Sequence, residues 1–302
     1  MMSADLETTA EVCASCGKAA VDEVKLKKCG CKLVQYCGVE CQKNHRPQHK
    51  KECKKRMAEI REDLLFTQPG ESHRGECPLC CLPLPLENSK TGLNSCCCKL
   101  ICDGCNFANR ARESRESLEQ RCAFCREPIP DTKDKCVKNL MERAKANDPL
   151  ALYQLGSIYY NDGDFEGALK YYTKAAALGG IESHYELSRL YAEGKGVEKD
   201  MKKSMYHSEE AAIGGHPLAR SILGYYENDN GRPDRAAKHF IIASKLGHDK
   251  SLDAAKKCFE LGLVTKEDYE AALRGHQAAV DEMTSKQRDA AAKVRAKFGY
   301  RV

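Results

Sequence analysis

The chain has 302 residues, a formal net charge of +5 at pH 7, 19 cysteines and no tryptophan. That length allows two or three ordinary domains. The basic excess is mild, and no helix-turn-helix or RNA-recognition pattern accompanies it, so nucleic acid is not the expected partner. No window approaches 18 uninterrupted apolar residues, which excludes a membrane-spanning helix.

Residues 1–10 are polar and are expected to be disordered. The N-terminus carries neither a basic n-region nor an apolar h-region, so a cytoplasmic or nuclear location is expected. In such a reducing compartment dense cysteines point to metal rather than to disulfides. All cysteines but Cys258 fall between Cys13 and Cys136. The first half is therefore a cysteine-built region, and the second half must fold by apolar burial.

Within residues 11–55 the ligand candidates come in pairs: Cys13/Cys16, Cys29/Cys31, Cys37/Cys41 and His49/Cys53. Thiolates and imidazole are the donors of closed tetrahedral zinc sites, and eight donors make two such sites. About 40 residues bury too little apolar surface to fold alone. A structural zinc contributes about 10–16 kcal/mol of binding energy that becomes folding energy. The leading C-x2-C, the "LKKC" approach, the "YC" before the fifth ligand and the closing "CQK…HKKEC" resemble a MYND-type zinc finger. The resemblance implies interleaved ligation, with Cys13, Cys16, Cys37 and Cys41 on one ion and Cys29, Cys31, His49 and Cys53 on the other. His45 is a rival to His49, but the spacing to Cys53 favours His49. Two positions depart from the family. Only Gly30 separates the second pair, where a permissive backbone could absorb the missing residue. Arg46 stands where the family has the tryptophan of its peptide-binding surface. No "NHxCxPN"-like segment signals the methyltransferase SET domain that often accompanies such fingers. The basic run "HKKECKKR" at its end reads as a solvated face.

Residues 56–75 are expected to form a linker helix, from Met57, Ile60 and Leu64 at helical spacing, broken at Gln68-Pro69-Gly70. The second cluster, residues 76–130, contains "CPLC", "CCCKLICDGC" and "RCAFC". This pattern resembles a RING-type finger. The resemblance implies that Cys77, Cys80, Cys102 and Cys105 share one ion, and that Cys122 and Cys125 share another with two of Cys96, Cys97 and Cys98. Cys96 and Cys98 reproduce the family's one-residue gap, leaving Cys97 to point away or to substitute for one of them. A RING finger performs no covalent chemistry; it holds a ubiquitin-charged conjugating enzyme. Leu79, inside the first pair, and Arg126, after the last ligand, stand at two of the family's contact positions. Ala123 replaces the usual proline, and the usual tryptophan is absent. Cysteine catalysis is not expected, because a zinc-bound thiolate is no free nucleophile. Cys81, Cys136 and Cys258 lack an evident histidine partner and read as small buried hydrophobes.

From Asp148 the texture turns to Ala, Leu and Tyr at helical spacing, in segments that repeat. Gly179, Gly214 and Gly247 mark the register and terminate each second helix. Ala168, Ala176 and Ala211 let helices approach, and Tyr159, Tyr191 and Tyr226 fill the gaps between them. A degenerate fourth copy follows. A period of this length means helix pairs stacked into a solenoid. The pattern resembles Sel1-like repeats, relatives of tetratricopeptide repeats, assigned to residues 131–283, with a charged helix or tail at 284–302. The three-part combination resembles an architecture abundant in diatoms and related algae.

The expected fold is thus mixed: two small zinc-stabilised cross-brace fingers followed by an all-α solenoid. The expected cofactor is zinc, about four ions per chain. The expected function is a protein-interaction scaffold whose repeats recruit protein partners. Its RING-like finger makes it a candidate ubiquitin ligase working with a conjugating enzyme; the alternative is a non-enzymatic adaptor, for instance in transcriptional regulation.

Overall fold

A computed structural model describes residues 12–20 and 25–298. The disorder expected at residues 1–10 and the last four residues of the chain lie outside this range. Two compact units divide at Thr67/Gln68.

In the first unit, β1 (Lys27–Lys28) pairs antiparallel with β2 (Gln35–Tyr36), Lys27 opposite Tyr36. One long helix, α1 (Val39–Phe66), follows. Gly38, in extended backbone, is its N-cap, and the Thr67 hydroxyl donates to the Asp63 carbonyl (2.7 Å) at its end. The separate linker helix expected at 56–75 is thereby corrected. Its helical part, 56–66, is the C-terminal end of α1, which carries His49 and Cys53 further upstream. The apolar spacing that suggested it does not mark a core, because Met57 and Leu64 are exposed. Pro47 has no N–H to give to the preceding turn, yet α1 runs through it.

In the second unit a hairpin of β3 (Thr91–Asn94) and β4 (Lys99–Cys102) feeds directly into α2 (Asp103–Arg115). The remaining described elements are helices: α3 (Lys133–Lys145), α4 (Pro149–Asn161), α5 (Phe165–Ala177), α6 (Ile181–Glu193), α7 (Met201–Ile213), α8 (Pro217–Asp229), α9 (Pro233–Lys245), α10 (Asp249–Glu260), α11 (Lys266–Glu282) and α12 (Lys286–Phe298). Their starts are written in local chemistry. Thr132, Asp148, Asp164, Asp200, His216 and Thr265 each accept a backbone N–H of the first turn from their side chains. Pro149, Pro217 and Pro233 occupy first positions, where no N–H is needed.

Helices α4 to α9 pair as α4/α5, α6/α7 and α8/α9, and neighbouring pairs stack. Within a pair, contact is set by size complementarity. A Cβ on Gly156 would lie 2.6 Å from the ring of Tyr172, and one on Gly224 would lie 2.5 Å from that of Phe240. The middle pair has Ser188 and Ser208 at the corresponding positions, both buried. Ala168, Ala176 and Ala211 are buried as expected. Tyr159 stacks on Tyr171 (5.1 Å) and Tyr191 on His207 (5.6 Å), while Tyr226 is half-buried.

The register mark needs one correction. The left-handed residues that end the second helices are Gly179 (φ 85°), Gly215 (φ 87°) and Gly247 (φ 85°), so Gly215 and not Gly214 is the equivalent. Gly214 has φ −72° and is only the C-cap. The steps are 36 and 32 residues, and the longer one reflects the extended α6–α7 loop. In that loop Gly196 (φ 66°) passes so close to the Phe165 backbone that a Cβ would lie 2.4 Å from its carbonyl carbon.

The boundary expected between the second cysteine cluster and the repeats, at 130/131, does not divide compact units. Cys98 shares a buried cluster with Leu140, Ala151 and Leu155. The terminal segment is a helix, α12, packed on α2, rather than a free tail.

Candidate metal centres

Four short loops carry half of the candidate ligands, and three of them share one backbone design. The first cysteine's N–H donates five residues ahead: Cys13 to Lys18, Cys77 to Leu82 and Cys122 to Glu127. Its carbonyl accepts from the residue four ahead, Gly17, Cys81 and Arg126 respectively, and each of those has positive φ (73°, 54° and 65°). Isolated bridges Val12–Ala19, Glu76–Pro83 and Arg121–Pro128 close the loops. The shorter Cys29/Cys31 loop keeps the first bond, Cys29 N–H to Val34 O, and closes the second on Lys32 (φ 62°). The missing residue is thus absorbed at Lys32. Gly30, expected to do so, does not have positive φ, and a Cβ there would make only ordinary contact with Met57.

These loops and the elements after them gather four donor sets, each with its donor atoms within 4.8 Å of one another: Cys13/Cys16/Cys37/Cys41, Cys29/Cys31/His49/Cys53, Cys77/Cys80/Cys102/Cys105 and Cys96/Cys97/Cys122/Cys125. The Sγ pairs Cys16–Cys37 (3.6 Å), Cys29–Cys53 (3.7 Å), Cys80–Cys102 (3.8 Å) and Cys97–Cys122 (3.8 Å) are far longer than the roughly 2.05 Å of a disulfide. They match the roughly 3.8 Å that tetrahedral Zn–S bonds of about 2.3 Å impose between sulfurs. His49 Nε2 lies 3.1 Å from Cys31 Sγ, and its Nδ1 faces Glu52 at 3.8 Å. The all-sulfur and Cys3His donor chemistry fits zinc. Both clusters interleave, since the first and third pairs meet in one set and the second and fourth in the other.

The loop backbone also prepares thiolates. The Cys13 thiol is lowered to about 6, chiefly by the Cys37 backbone N–H, and Cys29 to about 7 by that of Cys31. Cys77 falls to about 4 through the Cys102 thiol, helped against burial by the backbone N–H groups of Cys102, Cys80 and Leu79. For Cys122 burial acts upward, yet the Cys125 and Phe124 N–H groups leave the thiol lowered. Each is the first cysteine of its loop, and each belongs to a different set. One thiolate per set is therefore favoured before metal arrives.

The cysteine triplet departs from expectation. Cys96 and Cys97 face Cys122 and Cys125; Cys98 does not. The β3–β4 turn explains this. The Asn94 carbonyl accepts from both Cys97 and Cys98 N–H groups, and Cys98 closes the turn at φ 49°. That left-handed residue reverses the chain and sends its side chain to the opposite side, into the packing with Leu140. The one-residue gap expected between Cys96 and Cys98 is replaced by adjacent ligands.

Other assignments resolve locally. His45 is not a ligand; its Nδ1 bonds Tyr36 OH (3.0 Å) and its ring stacks on His49. Cys258 is buried and Cys136 half-buried, but Cys81, expected to be buried, is exposed at the positive-φ position of its loop. Leu79 is 41% exposed between two ligands. Arg126, also exposed, donates from Nη1 to Asn109 Oδ1 at 2.8 Å.

A fifth donor group, His73/Glu182/His216, escaped the sequence reading because its members lie far apart in the chain. It is a hydrogen-bonded tie rather than a metal site. His216 Nδ1 accepts the Ala219 N–H, so Nε2 carries the proton and donates to Glu182 Oε2 (3.2 Å). His73 Nε2 bonds Oε1 at 2.9 Å, and Arg74 Nε donates to the same oxygen at 3.4 Å. Against burial, the hydrogen bonds and charge of His216 and His73 hold Glu182 well below the usual carboxylate range, and burial lowers His216 to about 4. The tie fixes the segment after Thr67 to α6 and α8.

Comparison with known proteins identifies the first cysteine cluster and the repeats. Residues 13–53 match the MYND finger family. Residues 149–179 match a tetratricopeptide repeat, and residues 181–216 and 219–248 match the Sel1 repeat. The chain is 28% identical over 87 residues to chitin synthase regulatory factor 4 of Schizosaccharomyces pombe, covering 28% of this chain and 14% of that protein. It is 30% identical over 143 residues to an uncharacterised protein of Neisseria meningitidis serogroup B, covering 45% and 29%. The chain thus spans under a third of the length of these curated relatives. A Sel1 repeat protein from Oxalobacter formigenes has a similar solved structure, at 21% identity and a TM-score of 0.43, covering 59% of this chain and 72% of that one. The protein carries a zinc-binding MYND finger and a helical solenoid of Sel1 and tetratricopeptide repeats.

Proposed function

We propose that this protein is a zinc-dependent protein-interaction scaffold of the cytoplasm or nucleus, and that its second cysteine cluster is a RING-like finger that docks a ubiquitin-conjugating enzyme. The interleaving of Cys77/Cys80 with Cys102/Cys105, and of Cys96/Cys97 with Cys122/Cys125, carries this reading. Two further features support it. Leu79 projects between two ligands as an exposed aliphatic contact, and the Arg126 guanidinium follows the last ligand, where it can bridge enzyme and ubiquitin. The repeats recruit the protein to be modified, through the extended surface that stacked helix pairs create.

Discharge of ubiquitin from a panel of charged conjugating enzymes tests the proposal. Leu79→Ala is expected to weaken enzyme binding, and Arg126→Ala to slow discharge while leaving binding mostly intact, both with full zinc content. Absence of discharge across the panel, or wild-type activity in both variants, rejects it.

A non-enzymatic adaptor is the second reading. Ala123 is buried where RING fingers offer a proline, and the chain has no tryptophan to complete the contact surface. The fission-yeast relative is named as a regulatory factor, which suits an adaptor.

A further inference from the structure

Arg288, on the C-terminal helix α12, is a buried cation that makes no ion pair with a carboxylate among the described residues. Its side chain is 6% exposed. Nη1 donates to the carbonyls of Pro83 and Met283, both at 2.7 Å. Nη2 donates to the Leu82 carbonyl at 3.3 Å and to Cys80 Sγ at 3.5 Å. Carbonyls satisfy donors but do not neutralise charge, and an uncompensated buried charge is strongly destabilising. Leu82 and Pro83 close the loop that holds Cys77 and Cys80, so the guanidinium grips both the loop backbone and one of its sulfurs.

The cluster has the opposite need. Four thiolates around Zn2+ leave a net charge of −2, and Cys77 and Cys102 are almost fully buried. An N–H···S bond from a guanidinium offsets part of that charge where water cannot. The approach is built into the helices. A Cβ at Gly104 would lie 2.8 Å from the Arg288 backbone nitrogen, so this glycine lets α12 cross α2 closely. Ala291 is fully buried one turn on, and Arg295 pairs with Asp103 beyond it.

We propose that Arg288 is the counter-cation of the Cys77/Cys80/Cys102/Cys105 zinc site, so that loading of this metal and docking of α12 are one cooperative event. Without zinc the Cys77–Cys80 loop and the sulfur that Arg288 grips are no longer held in place; without Arg288 the zinc-thiolate cluster keeps an uncompensated charge. The coupling is reciprocal by linkage. The inference rests on zinc at this set and not on docking of any conjugating enzyme.

The test uses the full-length, zinc-loaded protein and a chromophoric chelator. Arg288→Met is expected to release one zinc at least tenfold faster than wild type, with the rest unchanged. Arg288→Lys, which keeps the charge but loses the planar fork, should fall between them. The reciprocal measurement is hydrogen exchange in Cys77→Ser: amides of 286–298 should exchange at least tenfold faster, while α6 to α9 keep their protection. Wild-type release from Arg288→Met, or unchanged protection of 286–298 in Cys77→Ser, overturns the proposal. If Cys77→Ser binds as much zinc as wild type, the metal assignment itself falls, and the zinc count distinguishes that failure from the others.

Discussion

Cys97 and Cys98 are consecutive residues that serve opposite sides of one turn. Cys97 Sγ stands 3.8 Å from Cys122 Sγ, whereas Cys98 packs against Leu140, Ala151 and Leu155. One left-handed residue therefore lets a single hairpin both bind metal and seal the finger onto the helices. Cys97→Ala should lose one zinc per chain. Cys98→Ala should keep every zinc but leave a small cavity, costing about 1 kcal/mol in thermal or urea unfolding. Zinc loss from Cys98→Ala instead would return the ligand to that position.

Size complementarity inside the helix pairs predicts a repeat-specific defect. Gly224→Ala puts a methyl group 2.5 Å from the Phe240 ring and should destabilise by about 1–3 kcal/mol without changing zinc content. Adding Phe240→Leu should recover part of that loss. A double variant less stable than the sum of the two single changes contradicts the account.

Acid should loosen the His73/Glu182/His216 tie. Burial sets the folded pKa of His216 at about 4, below the ordinary histidine value of 6.5, against the pull of Glu182. The unfolded chain therefore binds the proton first as pH falls. The stability from a neutral His216 is complete above about pH 6.5 and is lost progressively toward pH 4. Glu182, also depressed, adds stability that fails only at still lower pH. His73, Arg74 and Tyr185 complete the surroundings. Between pH 7 and 5 the unfolding free energy of His216→Gln should fall less steeply than that of wild type, by up to about 1.4 kcal/mol per pH unit. Parallel pH profiles would show that His216 is not the titrating group.

Arg126 sits at φ 65°, the position occupied by Gly17 in the first loop. Arg126→Gly should therefore melt higher than Arg126→Ala, by about 1 kcal/mol, because glycine takes this conformation freely. Equal stability would mean that the loop relaxes. The glycine variant also separates backbone strain from guanidinium loss in any discharge assay.

Much of this architecture could be read from residue spacing. Paired cysteines determine loop geometry locally, and Asp148, Asp164 and Asp200 announce helix starts by side-chain chemistry. What escaped depends on backbone conformation or distant contacts. Spacing cannot say which of Cys96, Cys97 and Cys98 turns left-handed, nor whether Gly214 or Gly215 does. Arg288 reads as one more charge in a basic tail until α12 is seen crossing α2 at Gly104. Glu182 reads as a surface helix residue until His73 and His216 reach it from 109 and 34 residues away.

The central claim is that both cysteine clusters are interleaved pairs of complete tetrahedral sites. Elemental analysis of the full chain, purified without chelator, measures it most directly. The account predicts close to four zinc ions per chain, falling by one in Cys97→Ala. A count near two would contradict it, leaving one of the clusters without the metal that its geometry is built to hold.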